Sequence, residues 1–289
     1  MILTIFTPTY NRGTLLKRVF NSLLKQTEID FEWLIIDDGS SDNTKQIVND
    51  FYSDAVFPIR YYKKINGGKH TAHNMAVNLA QGKYFVCLDS DDYLADNAII
   101  NVIKILEKCS SDEGIIAYKA DEKGNLLSDR FPIELTITNT VELTSFYQCG
   151  GEFTLIYPTN VLKNNLFPVF EGERFITECV LYDRLSNICK MWLLPKVICV
   201  CEYQENGYSN NLNIMMKNNP AGYCLYFMQR IDLQLSIKDR VVYAGKYHCF
   251  KWFAKLESLD YNGTHKVLVM LCKPIGVFFG LYYKLFRDF

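Results

Sequence analysis

The chain has 289 residues, 49% of them hydrophobic and 22% charged, which excludes a disordered segment and allows a sizeable core. Lys and Arg number 31 against 32 Asp and Glu, and a net charge of −1 gives no support for nucleic-acid binding.

ILTIF (2–6) reads as a strand. Leu15, Leu16, Val19, Phe20, Leu23 and Leu24 then recur at helical spacing. WLII (33–36) is a second strand, and the turn DDGSSDN caps a helix carrying Ile47, Val48 and Phe51. IRYY (59–62) is a third strand. NGGK turns into a helix through Met75, Ala76 and Leu79, with Gly82 expected to stop it at the C′ position. YFVCL (84–88) is the fourth strand, and DSDD leads to a helix with Ile99, Val102, Ile103 and Leu106. Beyond residue 110 the pattern loosens. A helix is expected from about Glu178, a strand over VICVCEYQ (197–204), and helix over 220–260 with Leu225, Met228, Ile231 and Leu235 on one face.

The alternation predicts an α/β fold: a mostly parallel, Rossmann-like sheet with helices on both faces. Its strands are continuous apolar runs, as in a sheet buried on both sides. TPTYNR, DDGSSD, NGGK and DSDD each follow a strand. In a parallel sheet those strand ends share one edge, where ligands bind.

The ten cysteines include no C-x-x-C pair, and most lie in apolar runs (Cys87, Cys199, Cys201, Cys272). They read as reduced, buried thiols. MILTIFTPTYNR lacks the basic and long apolar regions of a secretion signal, which predicts a cytoplasmic protein.

Asp89 and Asp91 are two apart at a strand end, so in extended chain they share a direction and suit Mg²⁺ or Mn²⁺, which take oxygen ligands. Alone, DSDD would be a capping turn; its place on the shared edge favours a metal site. Asp92 is expected at the site rim or a helix start, and Asp96 as a cap. Of Asp37 and Asp38, one can cap the turn or accept an N–H from a nucleobase. The two glycines of NGGK let backbone approach a phosphate, with Lys69 and Arg12 as cations. Neither the P-loop spacing nor G-x-G-x-x-G is present. His70 and His73 read as a polar helix face rather than metal ligands. No nucleophile elbow appears.

In order and spacing, TPTYNR, IIDDGSSDNT, NGGKHTAHN with its downstream A-x-G-KY, and LDSDD resemble the family-2 inverting glycosyltransferases of the GT-A fold, over about residues 1–215. The resemblance implies a nucleotide-sugar site made of Thr7, Pro8, Tyr10, Arg12, Asp38, Asn66, Gly68, Lys69, Asp89 and Ser90. Asp38 would read the base, uracil. Asp91, with Asp89, would hold Mg²⁺ or Mn²⁺. The family's base lies in E-D-x-x-L-x-x-R-L, and this chain has TECVLYDRL. Leu181, Arg184 and Leu185 fix the register, so Glu178 stands where the family has its catalytic Asp and Thr177 where it has Glu. His73 stands where the family often has Arg. Absence of Q-x-x-R-W implies single-sugar addition.

The implied partners are a nucleotide-sugar donor and a glycan or lipid-linked acceptor in surface polysaccharide synthesis. A nucleotidyltransferase and a non-catalytic sugar-nucleotide-binding subunit are the alternatives. Residues 216–289 are expected to form a helical extension to a 1–215 catalytic domain. The tail KVLVMLCKPIGVFFGLYYKLFRDF has no stretch long enough to span a bilayer. Its Phe278, Phe279, Tyr282, Tyr283, Phe286 and Phe289, with Lys273, Lys284 and Arg287, predict a peripheral contact at the inner face of the plasma membrane rather than a core helix.

Overall fold

In the computed structural model, all residues are described except 203–211, 234–235, 256–257 and 288–289. The chain forms two compact units that interleave along the sequence: residues 1–167 with 184–204, and residues 168–183 with 205–289. The division at 215/216 drawn from the sequence follows chain order instead.

The first unit starts with β1 (Leu3–Thr9), a 3₁₀ turn at Gly13–Leu15, α1 (Leu16–Leu24), β2 (Phe31–Asp37), α2 (Thr44–Phe51), β3 (Ile59–Lys63), α3 (Lys69–Leu79) and β4 (Tyr84–Cys87). β5 (Tyr93–Leu94), α4 (Ala98–Leu106), β6 (Gly114–Asp121), β7 (Ile137–Thr138), α5 (Thr140–Ser145), β8 (Phe153–Pro158) and α6 (Thr159–Lys163) follow. α7 (Cys179–Leu185) starts in the second unit and ends in the first, and β9 (Met191–Cys201) completes the sheet.

The strand order is β3-β2-β1-β4-β8-β6-β9-β5, with β7 on β9. β1 pairs in parallel with β2 and β4, and β2 with β3, so their carboxyl ends do share an edge. β8 runs antiparallel to β4 and β6, which makes the sheet mixed. All seven residues of β2 are buried, including Glu32. The Glu32 carboxylate is satisfied by Thr4 Oγ1 at 2.7 Å, Gln81 N at 2.7 Å and Arg60 Nη1 at 2.8 Å. Ile47, Val48 and Phe51 of α2 and Ile99, Val102 and Leu106 of α4 enter one core with the strands, as their spacing predicts.

Two local expectations are corrected. α3 ends with Ala80 in an extended conformation (φ −58°, ψ 133°), so Gly82 is not a C′ cap. Glycine is needed there because a Cβ would lie 2.4 Å from Thr4 N. Asp96 is exposed and does not cap α4. The N-cap is Asn97, in the left-handed conformation (φ 58°) and with no side-chain cap bond.

The second unit holds α8 (Leu212–Asn218), α9 (Pro220–Leu233), α10 (Ile237–Ala254), α11 (Lys266–Leu271) and α12 (Lys273–Phe286). The face of α9 that is buried runs through Tyr223, Cys224, Phe227 and Ile231; of the expected face, Ile231 is buried, while Leu225 and Met228 are only partly buried. Aromatic packing decides this: Tyr223 and Phe227 lie 5.8 and 5.1 Å from the Phe250 ring of α10. Leu235, Tyr203, Gln204 and Phe289 lie outside the described residues. Gly276 and Gly280 let α12 close on α10, where a Cβ would stand 2.4 Å from His248 Cβ and 2.6 Å from the Trp252 ring. Among the described residues, no helix is long and apolar enough to cross a membrane.

Candidate active site

The loop after β1 is stapled to the loop after β2. Asn11, at φ 52°, accepts from Ser41 N at 2.7 Å, and its own N–H donates to Ser40 Oγ at 2.9 Å. Gly13 N donates to Asp42 Oδ2 at 3.2 Å. Asp42 also accepts from Thr44 N, the first amide of α2, at 3.1 Å, whereas the N-cap itself is Asn43, whose side chain makes no cap bond.

The two acids at the end of β2 are both buried and both engaged. Asp37 accepts from Ser40 N at 2.7 Å and Tyr61 OH at 2.5 Å. Burial first, then the neighbouring Asp37 carboxylate, raise the Tyr61 phenol. Asp38 accepts from Lys64 Nζ at 2.7 Å, Gly67 N at 3.0 Å and Gly68 N at 2.7 Å. Asn66 Nδ2 closes the same turn on Asp38 O at 2.9 Å. Gly68, at φ 91°, holds the conformation that aims its N–H at the acid.

The Asp38 carboxylate organises the N-G-G turn, and the Gly67 and Gly68 amides, which the sequence suggested for a phosphate, donate to it. Lys64, which the sequence analysis passed over, is the signal: a buried acid needs a cation, and this one stands two residues before the turn.

Asp89 and Asp91 are each held by a basic side chain from another loop. Lys69 Nζ lies 2.6 Å from Asp89 Oδ1 and 2.8 Å from Oδ2. Arg12 Nη1 lies 2.9 Å from Asp91 Oδ2. Arg18, also missed, donates to the Asp91 carbonyl. Burial would raise the Asp89 carboxyl, but Lys69, Lys119 and Arg12 outweigh it and hold it below the usual carboxylate range. The donors fit a hard divalent cation. Both are carboxylates, both remain partly open (32% and 20% exposed), and the cations already beside them mark where positive charge is wanted.

The other expected residues sit as follows. Thr7 is fully buried and its Oγ1 accepts from Trp33 Nε1 at 2.9 Å, so its side chain belongs to the core rather than to a pocket lining. Pro8 is half-buried, Tyr10 is half-exposed and Ser90 is buried. Asp92 is at neither a rim nor a helix start. It is buried against Lys119, Cys199 and Cys201.

His70 and His73 are buried, contrary to a polar face. His73 packs edge-on against Phe6, Phe85 and Phe167. Burial lowers its pKa to about 3 and that of His70 to about 4.

In the second unit, Glu178 is exposed and immediately precedes α7, where its carbonyl accepts from Leu181 N at 3.0 Å. Asp183 is buried and paired with Arg230 Nε at 2.7 Å. Burial raises its pKa to about 6 although Arg230 pulls the other way. A cavity of about 430 Å³ is lined by Phe175, Thr177, Tyr223, Tyr226, Tyr243 and Lys246, among others.

Residues 4–155 match the family described as Glycosyl transferase family 2, over half of the chain. The chain belongs to this family. The glycosyltransferase is 41% identical over 98 residues to the chondroitin synthase of Pasteurella multocida (strain Pm70), a match covering 34% of this chain and 10% of that protein. The structure of S. aureus TarS 1–349 in complex with UDP-GlcNAc has a TM-score of 0.63 and 16% identity, covering 98% of this chain and 92% of that one. The mannosyltransferase PcManGT from Pyrobaculum calidifontis in complex with GDP-Man and Mn²⁺ has a TM-score of 0.55 and 17% identity, covering 97% and 80%. These likenesses identify the mixed sheet with its carboxyl-edge loops as the GT-A fold. Membership sets aside the nucleotidyltransferase alternative.

Proposed function

We propose that this glycosyltransferase moves one sugar, with inversion, from a nucleoside diphosphate sugar to a hydroxyl of a glycan or lipid-linked acceptor in surface polysaccharide synthesis. The supporting observation is the exchangeable pairing at the strand ends, Arg12 with Asp91 and Lys69 with Asp89. Two acids and two cations are what a divalent ion and a diphosphate would each displace. The likeness to TarS, whose structure is a complex with UDP-GlcNAc, supports uridine as the nucleoside.

Mg²⁺ or Mn²⁺ on Asp91, with Asp89, would act as a Lewis acid on the leaving diphosphate. Arg12 and Lys69, released from the carboxylates, bind the diphosphate oxygens, Arg12 as a fork and Lys69 as a point charge. Glu178 takes the proton of the acceptor hydroxyl on a carboxylate oxygen. The acceptor oxygen attacks the anomeric carbon opposite the diphosphate, so an α-linked donor gives a β product. The aromatic cavity that includes Thr177, the residue before Glu178, suits an acceptor sugar or lipid segment, with Lys246 for an anionic group.

α12 supports the membrane reading. Phe279 and Tyr283 pack in the second unit's core, whereas Val277, Phe278, Leu281, Tyr282 and Leu285 form an exposed apolar face beside Lys273, Lys284 and Arg287. That face would rest on an anionic inner leaflet and hold the enzyme near a lipid-linked acceptor.

A thermal-shift screen of nucleotide sugars with Mn²⁺ tests the donor reading. A UDP-sugar is expected to raise the melting temperature and to release UDP faster when acceptor is added. Failure of every nucleotide sugar to stabilise the protein would contradict the proposal.

A further inference from the structure

Directly after the acidic turn lies a second group of ligand atoms of different chemistry. Cys199 Sγ and Cys201 Sγ stand 3.5 and 3.3 Å from Asp92 Oδ2, and all three side chains are buried. Their ligand atoms fall within 4.8 Å of one another. Lys119 Nζ lies 3.4 Å from the same carboxylate oxygen.

Sheet register builds this group. Cys199 and Cys201 are two apart on β9 and so project to one face. β5 pairs antiparallel with β9, Tyr93 opposite Val200, which brings Asp92 beside Cys201. β6 pairs in parallel with β9, Lys119 opposite Cys199. All four residues belong to the first unit.

We propose that Asp92, Cys199 and Cys201 form a thiophilic divalent-metal site, suited to Zn²⁺, separate from the Asp89–Asp91 pair. Spacing supports it. With Zn–S at about 2.3 Å and Zn–O at about 2.1 Å, tetrahedral ligands stand about 3.6 Å apart, S to O. The two S···O separations are already within a few tenths of that.

Charge supports it too. Without metal, two thiols, one carboxylate and one ammonium sum to zero. When Zn²⁺ binds, both S–H bonds break, two Zn–S bonds and a Zn–O bond form, and two protons leave to solvent. Zn²⁺, two thiolates, the carboxylate and Lys119 again sum to zero. The buried site therefore takes up a dication with no net charge to desolvate. Thiolate ligands select Zn²⁺ or Co²⁺, whereas the oxygen pair of Asp89 and Asp91 suits Mg²⁺ or Mn²⁺. The three protein ligands leave one coordination position for water.

The test is titration of the reduced full chain with Co²⁺, followed by thiolate-to-cobalt charge-transfer absorption. The band is expected to saturate at one equivalent, to be displaced by Zn²⁺, to survive excess Mg²⁺, and to vanish in Cys199→Ser and Cys201→Ser. No thiolate band, or a band unchanged in both variants, would overturn the site. Should the variants fail to fold by circular dichroism, X-ray absorption of the Zn²⁺-loaded wild-type protein decides. Two sulfur neighbours at bonding distance uphold the site, and an oxygen and nitrogen shell without sulfur refutes it.

Discussion

Arg12 holds Asp91 at 2.9 Å, so the residue expected to bind the metal is bound by the residue expected to bind the diphosphate. The pair neutralises both charges at the strand ends. Lys69 and Asp89 repeat the device one strand end away. These ion pairs are how several acids tolerate one another at adjoining strand ends.

Arg12→Ala is expected to raise the donor KM about tenfold, through loss of one charged hydrogen-bonding group on the diphosphate. The same change removes a competitor for Asp91, so half-maximal activity is reached at a lower Mn²⁺ concentration. Steady-state kinetics over a matrix of donor and Mn²⁺ concentrations checks both. An unchanged donor KM would remove Arg12 from the donor site.

Asp38→Ala strips the acceptor from Lys64 and from the Gly67 and Gly68 amides in a buried setting. Removing one partner of such a pair is expected to cost about 3 kcal/mol of folding stability. Chemical denaturation measures it. A base-reading role alone would leave stability within a few tenths of a kcal/mol.

The histidines set an acid limit. Above about 6.5 the His73 imidazole is neutral in both folded and unfolded chains. Between there and its folded pKa of about 3, only the unfolded chain takes up the proton. Stability therefore falls as pH drops from about 6.5. His70, with a folded pKa of about 4, adds in the same direction. Denaturation curves from pH 7 to pH 4 are expected to fall less steeply for His73→Leu than for the wild type, and parallel curves would contradict this.

Phe278→Asp with Leu281→Asp places charge on the exposed face of α12 and leaves the packed face with Phe279 and Tyr283 intact. Co-sedimentation with vesicles containing anionic lipid is expected to drop several-fold with an unchanged melting temperature. Retained sedimentation would show that this face does not meet the bilayer.

The first four strands, the helices between them and their shared edge were legible because they rest on periodicity, which a sequence displays directly, whereas β5 to β8, α5 and α6 were not. β2, buried throughout, and α2, with Ile47, Val48 and Phe51 inward, follow from spacing alone. Partners were not legible where the contact is long-range. Asp92 meets Cys201 across 109 positions, and nothing in DSDD announces a thiol neighbour. Gly82 read as a helix stop because it follows one, yet its reason is the backbone of β1 alongside. His73 looked polar by residue type, whereas three phenylalanine rings had already claimed its surroundings. The candidate site was legible as a set of loops. The arrangement within it turns on which acid each cation chooses, and Lys64, Lys69 and Arg12 choose only in three dimensions.

The central claim, sugar transfer with Glu178 as the base, is tested most directly by turnover of the Glu178→Gln protein alongside donor binding. Loss of the general base is expected to lower kcat about a hundredfold or more, with the donor dissociation constant unchanged. Wild-type kcat in a Glu178→Gln protein that still binds donor would contradict the account.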